Sequence, residues 1–237
     1  MKIVTCRQKG IYHSDVGLPC QDAIGSYKNN EVGTIVLCDG AGSVNDSEII
    51  SEVIAKYLPQ FITDNFHKLY NASEDDIQQI ITNQISIIAN DYCDGMEPNC
   101  TLLVVSVSTS KQIIVIHVGD GIIMEIGKNS KILSFPENGE NPNITYFLND
   151  KKINNHMRVC KRDSSDNDVI LLCSDGLSNL LYNRVDDEVA AASYKMAKWL
   201  MENEETYVQQ LIANAMKETF QERTVDDMSV GLIEIVK

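Results

Sequence analysis

The sequence predicts an α+β fold, a four-layer α-β-β-α sandwich of two mostly antiparallel sheets flanked by helix pairs. The order of apolar segments is strands, two helices, strands, two helices, strand. Strand runs alternating with helix pairs build layered sheets covered by helices rather than a parallel βαβ fold. The strand candidates are short and bounded by Gly, Pro and Asn, whereas the helix candidates carry stripes at three- and four-residue spacing.

Taken in order, Ile3–Cys6, Ala23–Tyr27 and Val32–Cys38 read as strands. Ile49, Ile50, Val53, Ile54, Tyr57, Leu58, Phe61 and Ile62 then fall on one helical face, with Asn45, Asp46 and Ser47 as candidate caps. A second stripe holds Ile77, Ile80, Ile81, Ile85 and Ile88. Strands return at Thr101–Ser108, Ile113–Val118 and Ile122–Ile126. Residues 128–166 are polar and rich in Asn, with little periodicity, and read as hairpins and an irregular flap. Val169–Cys173 is a buried strand candidate. Helical segments at about 186–201 and 204–221 precede a last strand, Met228–Ile235. The whole chain, 1–237, reads as one domain, and its length is ample for a sizeable core.

Composition narrows the function classes. Hydrophobic residues make up 43% of the chain, which is globular composition, and the formal net charge is -14. Without basic clusters, nucleic acid is not an expected partner. Seven cysteines with no CxxC pair, several inside apolar runs, read as reduced thiols rather than a disulfide framework or zinc site. The N-terminus turns polar too early for a secretory segment, and no apolar run is long enough to span a bilayer, so the expectation is a cytoplasmic protein without membrane contact.

Chemistry enters through aspartates at strand ends. Asp39 in VLCDGAG, Asp120 in IHVGDG and Asp175 in ILLCSDG each close an apolar run and precede Gly. Asp22 in LPCQDA, and the pair Asp226 and Asp227 in TVDDMSV, stand just before strands. A single Asp-Gly after a strand is most often an ordinary turn. Several such sites admit a second reading. Carboxylates are the charged oxygen ligands that hard divalent cations take, and Gly lets the backbone approach.

In this order and spacing, PCQDA, CDGAGS, NCTLLVV, HVGDG, CSDGL and DDMSV resemble the motifs of the metal-dependent protein phosphatases, the type 2C family. The likeness spans nearly the whole chain and is strongest to a bacterial branch with a His ahead of the Gln-Asp motif, here His13. It implies a protein serine/threonine phosphatase that hydrolyses phosphomonoesters through a metal-bridging water, with two divalent cations, Mn²⁺ or Mg²⁺, and a third, labile one. By the same resemblance Asp39 bridges two metals, with the Gly40 carbonyl on one of them. Asp175 and Asp226 complete the other metal, Asp22 holds a metal-bound water, and Asp120 helps bind the third. A phosphorylated protein is the implied substrate and a cognate kinase an implied partner.

The chain departs from the family pattern at four places, one of them Gln21, which stands where some relatives have a metal-associated Glu. Ala41 stands where many relatives have a His, Gly17 lies where a phosphate-binding Arg is common, and Asp227 replaces an Asn. Arg7 or His13 is then the candidate phosphate contact. His117 and Trp199 read as packed side chains, and Thr101 as a neighbour of the site. These departures keep open a phosphatase-like regulatory or binding module, and a hydrolase of small phosphate compounds.

Overall fold

The computed structural model describes residues 1–139, 145–164 and 168–235. The chain opens with β1 (Ile3–Gln8), a single helical turn α1 (Ile11–Asp15), β2 (Asp22–Lys28) and β3 (Val32–Asp39). Helices α2 (Ser47–Asp64), α3 (Phe66–Asn71) and α4 (Glu74–Tyr92) follow. Next come β4 (Leu102–Ser108), β5 (Gln112–Val118), β6 (Ile122–Ile126), β7 (Lys131–Ser134), β8 (Arg158–Asp163) and β9 (Val169–Cys173). The last part holds α5 (Asp175–Leu181), the hairpin β10 (Tyr182–Asn183) and β11 (Glu188–Val189), α6 (Ala191–Glu202), α7 (Glu205–Ala215) and β12 (Met228–Glu234).

Two five-stranded antiparallel sheets form, in the orders β1-β12-β9-β6-β7 and β2-β3-β4-β5-β8. Three apolar clusters make the layers. Val36 and Cys38 of β3, with Leu102 and Val104 of β4, meet Ile50, Ile54, Leu58, Ile77 and Ile81 of α2 and α4. Ile35, Leu37, Leu103 and Val105 face Ile170, Leu172 and Ile233 across the gap between the sheets. Leu171 and Leu232 face the outer helices through Met196, Leu200, Val208 and Ile212. Strands buried on both faces carry near-continuous apolar runs rather than alternating ones, and the buried hydroxyls of Thr34 and Ser106 bond to each other at 2.7 Å. The four-layer sandwich expected from the sequence is the fold observed.

Local outcomes differ where side chains compete with pattern. Ser73 caps α4 by accepting the Asp76 amide at 3.1 Å. The expected cap of α2 does not form that way: Asp46 sits in the left-handed region, φ 64°, with no side-chain cap bond. Part of the expected flap is regular, since β8 is the edge strand of the second sheet and pairs with β5. Residues 140–144 and 165–166 of that flap lie outside the described residues. The helix expected from Asp186 begins only at Ala191, because residues 182–189 form the β10–β11 hairpin.

Candidate metal centre

Register explains why distant aspartates meet. In one sheet Leu37 pairs with Leu103 and Leu102 with Val118, so the end of β3, the start of β4 and the end of β5 share an edge. In the other sheet Ile122 and Val230 both pair with Cys173, which puts the start of β6, the end of β9 and the start of β12 at one edge. The β5–β6 turn crosses from sheet to sheet there, carrying Asp120. Asp39 ends β3, Asp175 opens α5 directly after β9, and Asp226 precedes β12.

The side chains complete the convergence. One carboxylate oxygen each from Asp39, Asp120 and Asp175 lie within 4.8 Å of one another. They line a cavity of about 360 Å³ together with Gly40, Ala41, His13, Gln21, Thr145 and Asp226. A larger cavity of about 620 Å³, between β1, β2, α2 and α7, contains no such group of acids, so size does not locate the chemistry.

Each acid is held by its own element. The Asp39 amide donates to Thr101 Oγ1 at 2.9 Å, and the Thr101 amide returns to the Asp39 carbonyl at 2.8 Å. Gly119 adopts φ +107°, and a Cβ there would lie 2.6 Å from Thr101 Cγ2, so only glycine lets the turn press Asp120 against that pair. A network from the flap braces the same turn. Arg158 Nη1 donates to the Phe135 carbonyl at 2.5 Å, and its Nε lies 3.3 Å from Glu137 Oε2. The Glu137 amide donates to the Gly119 carbonyl at 2.9 Å. His117 is fully buried, with Nδ1 at 2.8 Å from Ser134 Oγ, and desolvation together with Arg158 holds its pKa well below the usual histidine range. Thr101, His117 and Gly119 lie in the NCTLLVV and HVGDG motifs, whereas no motif marks Ser134, Glu137 or Arg158.

Burial and mutual repulsion raise the carboxyl pKa values of the cluster. Burial first, and then the charges of Asp22, Asp175, Asp120 and Asp226, push the Asp39 carboxyl well above the carboxylate range. Asp175 is raised to about 7, by burial and then by Asp120 and Asp226. Like charges gathered in a half-buried site destabilise one another unless protons or metal ions neutralise them. All-oxygen donors at this separation fit hard divalent ions.

The remaining candidates are placed unequally. Asp22 pairs across the ladder with Asp39 but is buried behind the cavity, where Oδ2 accepts from Ser174 Oγ at 2.7 Å. Burial raises its pKa to about 8. Asp226 is exposed at the cavity mouth, whereas Asp227 is turned inward with its oxygens occupied. Asp227 Oδ1 accepts the Gly10 amide at 2.7 Å, and Oδ2 meets the Gln21 amide at 2.6 Å and His13 Nδ1 at 2.8 Å. His13 therefore reaches the cavity, tethered by Asp227. Arg7 does not: Nη1 lies 3.0 Å from the Asp22 carbonyl and 2.5 Å from Glu52 Oε1, in the larger cavity on the β1–β2 side.

The inward Asp227 gives a stability prediction. Asp227→Ala leaves the Gly10 and Gln21 amides and His13 without their acceptor, so urea unfolding is expected to show a loss of roughly 2–4 kcal/mol. A loss under about 0.5 kcal/mol would contradict this tethering.

Fold and site together define a cluster of carboxylates able to hold a metal ion, at one edge of an α-β-β-α sandwich. The chain belongs to the protein phosphatase 2C family, whose sequence profile matches residues 9–218. Solved structures share the fold. The S. agalactiae serine/threonine phosphatase superposes with a TM-score of 0.65 at 20% identity, covering 100% of this chain and 99% of that one. The catalytic domain of the serine/threonine phosphatase PstP, solved with two manganese ions, gives 0.63 at 16% identity, covering 100% and 98%. RsbX in complex with magnesium gives 0.57 at 13% identity, covering 98% and 94%. No curated protein sequence matches the chain significantly. Family membership sets the reaction class as metal-dependent serine/threonine phosphatase chemistry.

Proposed function

We propose that this chain removes phosphate from phosphoserine and phosphothreonine in proteins, using two divalent cations, Mn²⁺ or Mg²⁺, held by Asp39, Gly40, Asp175 and Asp226. The carrying observation is the approach of the Asp39, Asp120 and Asp175 oxygens to within 4.8 Å from three separate strand ends. When bound, such cations supply an activated water and neutralise phosphoryl oxygens. A third, more weakly held ion belongs beside Asp120.

The chain's own residues supply position and charge. Asp39 is clamped to Thr101 and Asp120 is braced through Gly119, so the ligands are held before any ion arrives. Asp22 lies behind Asp39, outside the cavity lining, and through Ser174 ties the start of β2 to the β9–α5 corner. His13, oriented by Asp227, offers a contact to phosphoryl oxygens. The cysteines stay out of the reaction. Burial pushes the Cys6 thiol up to about 12 and Cys173 higher, which leaves almost no thiolate nucleophile.

No described helix is long and apolar enough to cross a membrane. We place the protein in the cytoplasm, opposing a serine/threonine kinase on shared substrates.

Phosphate release from p-nitrophenyl phosphate and a phosphothreonine peptide, with Mn²⁺, Mg²⁺ or EDTA, tests this reading. Turnover is expected only with metal, on both substrates, and unchanged after thiol alkylation. A folded protein that releases no phosphate with either ion would instead be a regulatory binding module. Release from p-nitrophenyl phosphate alone would point to a small phosphate compound.

A further inference from the structure

The cavity at the metal centre contains no Lys or Arg among its described lining residues. A phosphorylated substrate brings a dianion to this mouth, where recognition favours the planar, forked donors of arginine. Arg7, the cation nearest the first acidic motif in the sequence, faces a different cavity.

The hairpin after α5 supplies a cation from another direction. Two of its three acids are occupied within the hairpin itself: Asp186 Oδ2 accepts from Asn183 Nδ2 at 2.6 Å, and Asp187 accepts from Tyr182 Oη. Arg184 is directed elsewhere. Its Nη2 lies 3.5 Å from Ser178 Oγ, and that hydroxyl donates at 3.0 Å to the carbonyl of Asp175. The guanidinium is thereby set over the helical turn that carries Asp175. The charge of Arg184 also acts on the Asp120 carboxylate. Exposed arginines are usually solvated surface. This one makes no ion pair among the described residues, although two carboxylates stand within three positions of it in sequence.

We propose that Arg184 is a substrate-recognition residue whose guanidinium binds anionic oxygens of the phosphorylated substrate at the rim of the Asp39–Asp120–Asp175 cavity. The inference rests on the phosphatase reading above. Two sources of oxygen share this chemistry, the phosphoryl group itself and a carboxylate flanking the phosphorylated residue.

The test compares wild type, Arg184→Gln and Arg184→Lys at saturating Mn²⁺. The substrates are p-nitrophenyl phosphate and two phosphothreonine peptides, one with acidic and one with neutral flanks. Inorganic phosphate binding is measured in parallel by calorimetry, as are Mn²⁺ binding and melting temperature. Arg184→Gln is expected to raise KM roughly tenfold, with kcat and Mn²⁺ binding changed by less than about twofold, and Arg184→Lys to fall between. If the phosphoryl group is the ligand, KM rises for all three substrates and phosphate binding weakens. If a flanking carboxylate is the ligand, only the acidic peptide is affected. Unchanged KM for all three substrates in a folded, active Arg184→Gln overturns the inference and leaves the phosphatase reading intact. If wild type hydrolyses none of them, that reading fails and phosphate binding decides: weaker binding by Arg184→Gln supports the inference, and equal binding overturns it.

Discussion

Replacing Asp39 or Asp175 with Asn is expected to lower Mn²⁺-dependent kcat by roughly 10³-fold or more while making the metal-free protein more stable. Both residues contribute to the one group of acids whose oxygens approach within 4.8 Å among the described residues. Losing either leaves only two of the three clustered carboxylates. Without metal the same carboxylates repel one another, which is why burial and neighbouring charge push both above the usual range. Asn keeps the shape and drops the charge, so unfolding without metal should cost on the order of 1 kcal/mol more in the variants. Calorimetric Mn²⁺ titration and urea unfolding with EDTA check the two halves. Retained activity in both variants would remove these carboxylates from the reaction; lowered metal-free stability would show that their charge is not the strained element.

The metal-free fold should weaken as pH rises from about 4 to about 8, by a few kcal/mol in all. Asp175 is raised to about 7 and Asp22 to about 8, from the ordinary aspartate value of 3.8 that they regain on unfolding. Between those limits the folded state binds more protons than the unfolded state, so raising pH favours unfolding. The contribution is complete below the unfolded value and is lost as pH passes through the folded ones. Divalent cations bind the ionised carboxylates and reverse the trend, so the stabilisation by Mn²⁺ should grow over the same interval. Urea unfolding at pH 5 and pH 8, with EDTA and with Mn²⁺, measures both slopes. Stability that rises with pH in EDTA would contradict the arrangement, and Asp22→Asn should flatten the fall.

The architecture could be read early because burial dictates composition. Strands covered on both faces are apolar almost throughout, and β3, β4 and β9 announce themselves that way. The stripes of α2 and α4 did the same for the helices packed outside them. Asp39, Asp120 and Asp175 were legible as strand-end acids in a family order, and the structure gathers those three. Asp22 and Asp226 flank them, one behind and one at the mouth.

Other features depended on contacts far apart in the chain. Short α5 is hidden in a Ser-Asp-Gly-Leu segment that reads as a turn, and the hairpin after it was absorbed into the expected α6 because local pattern does not record pairing. β8 looked irregular because an edge strand is only half covered. Sequence determined the layers, the order of the acids and the hard-donor character of their oxygens. Tertiary structure alone decided that Asp227 turns inward and Asp226 faces the cavity, since the amides of Gly10 and Gln21 and the ring of His13 lie more than 200 residues away in sequence. It alone turned Arg7 from the cavity and set Arg184 near it. Such choices belong to the side-chain partners that folding brings within reach, and adjacent residues in a sequence carry no mark of them.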